Sequence, residues 1–244
     1  MRDARLNIAH HSPSARHSLR LVLLTVLMLM AMSCDRNHDG NLDSTYETQL
    51  TDIVTYTGQD ADDHATFRLE GRDDEPGVDL FTTVARPDKV ALNSRVLLYY
   101  SIAHKASDGK SWNINARALT RIMSDSLRVN NQPLGNYSMR PIKLISAWRT
   151  GEFINLHGQV EYTGKNRHLY MLIDHDTRNK PTADAYLIHD LLGTPEDSVY
   201  YWRDFYLSVN VGVLKKPQSP TTTLRLHINN AATPDIDHID FKLK

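Results

Sequence analysis

Few residues in this chain have the types and spacing that chemistry needs. Asp174-His175-Asp176 could begin a metal or acid–base site, because a histidine between two carboxylates can be ligated or oriented by them. It stands at the end of an apolar run and before the turn formers Thr177-Arg178-Asn179, with no Glu-x-x-His or paired histidines to complete a ligand set. His189-Asp190 and Asp237-His238 are similarly isolated pairs. Asp60, Asp62, Asp63 and His64, followed by Asp73, Asp74 and Glu75, supply carboxylates of the kind hard cations take, but read first as two charged surface loops. Asp35, Asn37, Asp39, Gly40 and Asp43 follow the spacing of a calcium loop, but the closing acid is missing: Tyr46 holds its place and Glu47 comes one residue late. There is no Gly-x-Ser-x-Gly, no supported Ser-x-x-Lys and no phosphate-binding glycine loop. No catalytic residue, cofactor or metal is therefore assigned.

The single cysteine, Cys34, has the most specific context. Arg2, Arg5, Arg16 and Arg20 precede an apolar run, Leu21 to Met32, which ends in Ala31-Met32-Ser33-Cys34. A basic start, a short apolar core and small residues at the cut describe an export signal, too short for a membrane span of about 20 residues. The cysteine at the cut resembles the bacterial lipobox, which implies lipidation of Cys34 as the first residue of the mature protein. Two or more acyl chains would then hold the protein on a membrane without crossing it. Without a second cysteine there is no disulfide. No dense acidic run follows Cys34, which favours the periplasmic face of the outer membrane over the cell surface.

What remains after residues 1–33 must position any site. Those residues carry four arginines and one aspartate, so the remaining 211 residues hold 24 basic and 28 acidic side chains. Within 48–123 there are nine basic and eleven acidic residues, which does not suit binding to phosphate backbones, so no nucleic-acid partner is expected. Residues 34–49 are polar and read as a tether.

From Asp52 onward short β-rich runs alternate with Gly, Pro, Asn and Asp clusters. Asp52–Thr57, Ala65–Glu70, Leu80–Ala85, Arg95–Ala103 and Ser111–Ile122 are expected strands. Val96, Leu98, Tyr100 and Ile102 share one face, as do Trp112, Ile114, Ala116 and Ala118. Five strands at 50–123 suit an OB-like barrel. Residues 124–139 hold Asn130-Asn131-Gln132-Pro133-Leu134-Gly135 and read as a linker.

Residues 140–244 give about seven strands. The clearest runs from Phe205 through Leu207, Val209 and Val211 to Val213, with Tyr206, Ser208, Asn210 and Gly212 on its other face. Seven strands there suit an immunoglobulin-like β-sandwich. The fold class is all-β: a five-stranded OB-like barrel, then a sandwich.

This layout, with Arg95-Val-Leu-Leu-Tyr-Tyr-Ser-Ile102, Ile145-Ser-Ala-Trp148, Gly151-Glu-Phe-Ile-Asn-Leu156 and His168-Leu-Tyr-Met-Leu-Ile173, resembles the NigD-like lipoproteins of Bacteroidetes. The resemblance implies an N-terminal OB-type domain, a C-terminal β-sandwich and an exported lipoprotein. The family is named for association with a bacteriocin locus, and it supplies no catalytic residues to carry over.

Aromatic residues outside the core pattern, Tyr99, Trp148, Tyr200, Tyr201 and Trp202, could stack on sugars or pack on a protein. Tyr200-Tyr201-Trp202 is the expected binding patch, because three adjacent aromatics on one strand cannot all face inward. The function expected is a non-enzymatic envelope lipoprotein that binds a protein or glycan partner. The competing class is a metal-dependent hydrolase or cation-binding protein using Asp174, His175 and Asp176.

Overall fold

The structure is a computed structural model. It describes residues 48–243 apart from 74, 86, 88, 163, 165, 166 and 191–200. Cys34, the export signal, the calcium-like spacing, Asp74 and Tyr200 lie outside the described residues.

Five strands close the barrel: β1 (Leu50–Gln59), β2 (His64–Leu69), β3 (Val78–Ala85), β4 (Arg95–Lys105) and β5 (Ser111–Arg121), in the order β1-β2-β3-β5-β4. Alternation builds the core, since every second side chain of a strand faces the same way. Val54, Tyr56, Phe67, Leu80, Val96, Leu98, Tyr100 and Ile114 fill it. The Tyr100 hydroxyl is buried and donates to Asp52 Oδ2 at 3.0 Å.

Two departures from strict alternation shape the barrel wall. Gly58, at φ 123°, lies where the β1–β2 register shifts, a backbone state that side chains resist. In β5, Ala116 pairs with Tyr100 and Ala118 with Tyr99, so Arg117 is an extra residue. The bulge turns Ala118 outward and brings Leu119 against the core, which corrects the face expected from period 2.

The strands of the sandwich are β6 (Met123–Ser126), β7 (Arg128–Val129), β8 (Ile142–Thr150), β9 (Phe153–Tyr162), β10 (His168–Ile173), β11 (Thr182–Asp190), β12 (Tyr201–Asn210), β13 (Thr223–His227) and β14 (His238–Lys242). They form a five-stranded sheet, β14-β13-β11-β10-β7, and a four-stranded sheet, β6-β12-β9-β8. Ile154, Leu156, Leu169, Met171, Leu207, Val209, Leu224 and Leu226 meet between the sheets.

The stretch 124–139 is more than a connector. β6 and β7 each add a parallel edge, β6 on β12 and β7 on β10. They are too short to show a period. The turn formers Asn130–Gly135 come after them and lead into a single 3₁₀ turn, Leu134–Asn136.

β12 stops at Asn210, short of the expected Val213. The Asn210 side chain accepts the Gly212 amide at 2.8 Å, Glu152 O accepts the Val211 amide at 2.8 Å, and one helical turn, Gly212–Lys215, follows. Val211 stays buried while Val213 is exposed. Local side-chain capture of the backbone ends the ladder despite the continuing pattern.

Candidate functional site

Barrel and sandwich form one compact unit, joined across the outer face of the β6-β12-β9-β8 sheet. On β9 and β12 that face carries Phe153, Asn155 and His157 beside Tyr206, Ser208 and Asn210, because their neighbours point into the sandwich core. A polar face on an exposed sheet would be solvated, yet Asn155 and Ser208 are completely buried.

The residue that buries them is Arg95, the first residue of β4. It is 2% exposed. Its guanidinium donates to Thr55 Oγ1 at 2.9 Å, Ser208 Oγ at 3.1 Å and Asn155 Oδ1 at 3.3 Å, and lies 4.2 Å over the Phe153 ring. Ser208 Oγ donates to Asn155 Oδ1 at 2.8 Å, and Asn155 Nδ2 donates to Thr150 Oγ1 at 2.9 Å. Burial pushes the Arg95 pKa down to about 10, against the pull of Glu70.

A second junction uses the acidic loop after β2. Gly151 N donates to Gly71 O at 2.9 Å, Arg72 bridges to Thr150, and Asp73 lies 3.7 Å from the buried Arg149. The Asp73 side chain is itself 79% exposed, so this contact lies at the rim of the junction.

Between these contacts the two halves leave clefts, and Leu97 and Tyr206 line both of the larger ones. The first, about 760 Å³, has aromatic walls from Trp112, Trp148, His157 and Tyr206, with Asp52 and Glu75 among its polar groups. His157 and Tyr206 are opposed across the β9–β12 ladder and stack at 4.2 Å, 6° from parallel. Burial, then Tyr99 and Asp204, raises the Tyr206 pKa, so the hydroxyl stays a neutral donor at physiological pH. The second cleft, about 600 Å³, is lined by Tyr99, Arg121, Tyr162, Arg167, Arg203 and Asp204 among others. Flat aromatic faces with a few polar groups can hold a sugar face or a side chain.

The expected aromatic patch divides here. Tyr201 is 52% exposed and meets Tyr162 at 5.1 Å, on the edge of the second cleft, where Arg203 lies 5.1 Å over the Tyr162 ring. Trp202 points to the opposite face, with the Lys143 ammonium 4.1 Å from its ring centre. Trp112, His157, Tyr206 and the Arg95 pin were not legible as a site. His157 and Tyr206 fall on the outer faces of their strands, which also describes an ordinary solvated sheet, and Trp112 falls on the apolar face of β5 with Ile114 and reads as core.

The other candidates remain on the surface. Asp174, His175 and Asp176 form the turn between β10 and β11; Asp174 Oδ1 accepts the Asp176 amide, and the side chains of His175 and Asp176 are 62% and 88% exposed. Asp60, Asp62 and His64 bring ligand atoms within 4.8 Å of one another. Asp60 Oδ1, however, accepts the Asp62 and His64 amides at 2.9 Å each, closing the β1–β2 turn around Asp63 at φ 63°. The His64 amide is the main cause of the lowered Asp60 pKa. His189 is completely buried and neither ring nitrogen makes a well-formed hydrogen bond; burial first, then the Arg167 charge, lowers its pKa. No helix among the described residues is long and apolar enough to cross a membrane.

The NigD-like C-terminal beta sandwich domain matches residues 125–242. No curated protein matches the chain. The fold is similar to that of a protein of unknown function from Bacteroides vulgatus ATCC 8482, at TM-score 0.61, 12% identity, 80% of this chain and 90% of that one. A NigD-like immunity protein from Bacteroides caccae ATCC 43185 is similar at TM-score 0.52, 16% identity, 79% of this chain and 91% of that one. A protein from Bacteroides fragilis NCTC 9343 proposed to be a lipoprotein is similar at TM-score 0.52, 13% identity, 81% of this chain and 99% of that one.

Proposed function

We propose, from a chain whose residues 125–242 belong to the NigD-like C-terminal β-sandwich family, a non-enzymatic envelope lipoprotein that binds a protein or glycan partner through the barrel–sandwich clefts. The carrying observation is the aromatic lining of the larger cleft. Trp112, Trp148, His157 and Tyr206 line a concavity between barrel and sandwich, each of them half-buried, with Trp112 also packed against the barrel core. Aromatics left in a concave site are the usual means of holding a ligand. The lipid at Cys34 would keep the molecule on the periplasmic face of the outer membrane while the barrel and sandwich meet the partner.

The description of one fold neighbour as a NigD-like immunity protein supports a protein partner, and the link to a bacteriocin locus rests on the family resemblance alone. The competing reading, a metal-dependent hydrolase at Asp174, His175 and Asp176, has less support. Those groups sit in an exposed turn, and a hydrolase needs convergent groups around a concave site.

The test is affinity capture of the lipid-anchored protein from its own envelope, beside Trp148→Ala with Tyr206→Ala. A specific partner lost in the double variant supports the reading. A partner retained at full yield by a folded double variant places binding elsewhere. Cys34→Ala should shift the protein out of the membrane fraction; unchanged fractionation would refute the anchor.

A further inference from the structure

The second cleft has an origin that suggests what fits it. β5 leaves the barrel at Arg121 and, after one residue, the chain becomes β6. β6 pairs with β12 only over Leu207–Asn210, whereas β9 pairs with all ten residues of β12. Where the chain peels away into the barrel, Tyr201–Tyr206 keep one edge that no strand among the described residues covers. The cleft is this wedge, with Thr120 to Met123 on one wall and Arg203 to Tyr206 on the other. Six residues of strand edge span about 20 Å at roughly 3.4 Å per residue, and alternate residues turn N–H and C=O groups into the gap.

The wedge is also charged. Arg121, Arg167 and Arg203 line it against one carboxylate, Asp204, which already accepts a hydrogen bond from Gln159 Nε2 at 2.9 Å. Arg121 and Arg203 are exposed. An open strand edge selects a peptide backbone, since only a backbone can continue the ladder. Flanking guanidiniums select carboxylates.

We propose that this wedge takes an extended acidic peptide segment of a partner protein, which adds as a strand beside Tyr201–Tyr206. The assignment rests on the binding-module reading and names its ligand class. Tyr99 and Tyr162 would cover the added strand's side chains on either side of the edge, and Arg121 and Arg203 would meet its acids.

The test is fluorescence anisotropy with the mature chain and a labelled eight-residue peptide alternating Glu and Val. Three comparisons are made: a Lys–Val peptide, a Glu–Val peptide N-methylated at alternate residues, and polygalacturonate as unlabelled competitor. Expected are saturable binding of the Glu–Val peptide and at least about tenfold weaker binding of both control peptides. Arg121→Glu with Arg203→Glu should also weaken it about tenfold, with an unchanged urea midpoint showing that the variant is folded.

Absence of Glu–Val binding up to about 1 mM overturns the proposal. Equal binding of the N-methylated peptide overturns strand addition. Charge-dependent binding of polygalacturonate in place of the peptide overturns the peptide assignment while the binding-module reading stands. Failure of envelope capture together with failure of every probe removes both.

Discussion

Arg95 should be the residue whose replacement most clearly separates charge from shape in the junction between barrel and sandwich. Its fall from an ordinary pKa of 12.5 to about 10 is a cost of keeping the charge in the folded state, about 3 kcal/mol at roughly 1.4 kcal/mol per pH unit. Against that stand three hydrogen bonds from a charged donor, each worth about 1.5–2 kcal/mol, and a ring contact with Phe153 worth about 1 kcal/mol. The balance favours Arg95 by roughly 2.5–4 kcal/mol.

Arg95→Met keeps much of the stem and removes both the bonds and the desolvation cost. It should lower stability by about 2.5 kcal/mol. Arg95→Lys keeps the charge and its cost, but a single ammonium cannot reproduce the fork that reaches Thr55, Ser208 and Asn155 together. Lysine should therefore be at least as damaging as methionine, about 3 kcal/mol, although it conserves charge. Urea unfolding followed by tryptophan fluorescence measures this, with Trp112 reporting on the barrel and Trp148 and Trp202 on the sandwich. Lysine tolerated within about 0.5 kcal/mol, or clearly milder than methionine, would refute the account of a desolvated three-way fork.

Two further outcomes follow from buried positions. Gly158 lies in β9 where an added Cβ would stand 2.7 Å from Lys143 O and 2.9 Å from the Phe205 ring, so Gly158→Ala should cost about 1–3 kcal/mol in urea unfolding; an unchanged midpoint would mean the strand shifts freely. His189 has a folded-state pKa below its ordinary 6.5, so below that pH the unfolded chain binds a proton that the folded chain refuses. Its contribution to stability is complete above about pH 6.5 and is lost as the pH falls toward the folded value, at up to about 1.4 kcal/mol per pH unit. The loss between pH 7.5 and 5.5 should shrink in His189→Leu relative to the parent chain; equal slopes in urea midpoints would exclude His189 as its source.

Residue order encodes what period and position can express. Arg95–Ala103 was legible as a strand because Val96, Leu98 and Tyr100 alternate with their neighbours, and the same regularity marked the sandwich strands. Alternation also implied that Tyr201 and Trp202 must point opposite ways, as they do, because successive Cβ atoms leave a strand on opposite faces.

Long-range packing supplies the remainder. Asn155 and Ser208 look like solvent-facing residues in any local window, and only a guanidinium 60 and 113 residues away makes them a buried network. The two clefts lie between the barrel wall and the outer face of the β6-β12-β9-β8 sheet, lined by residues from both. The edge of β12 that no strand among the described residues covers arises where the chain crosses from barrel to sandwich after Arg121. Local pattern records which side of a strand is apolar. It does not record which distant surface will cover the polar side, and in this protein that covering surface forms the candidate site.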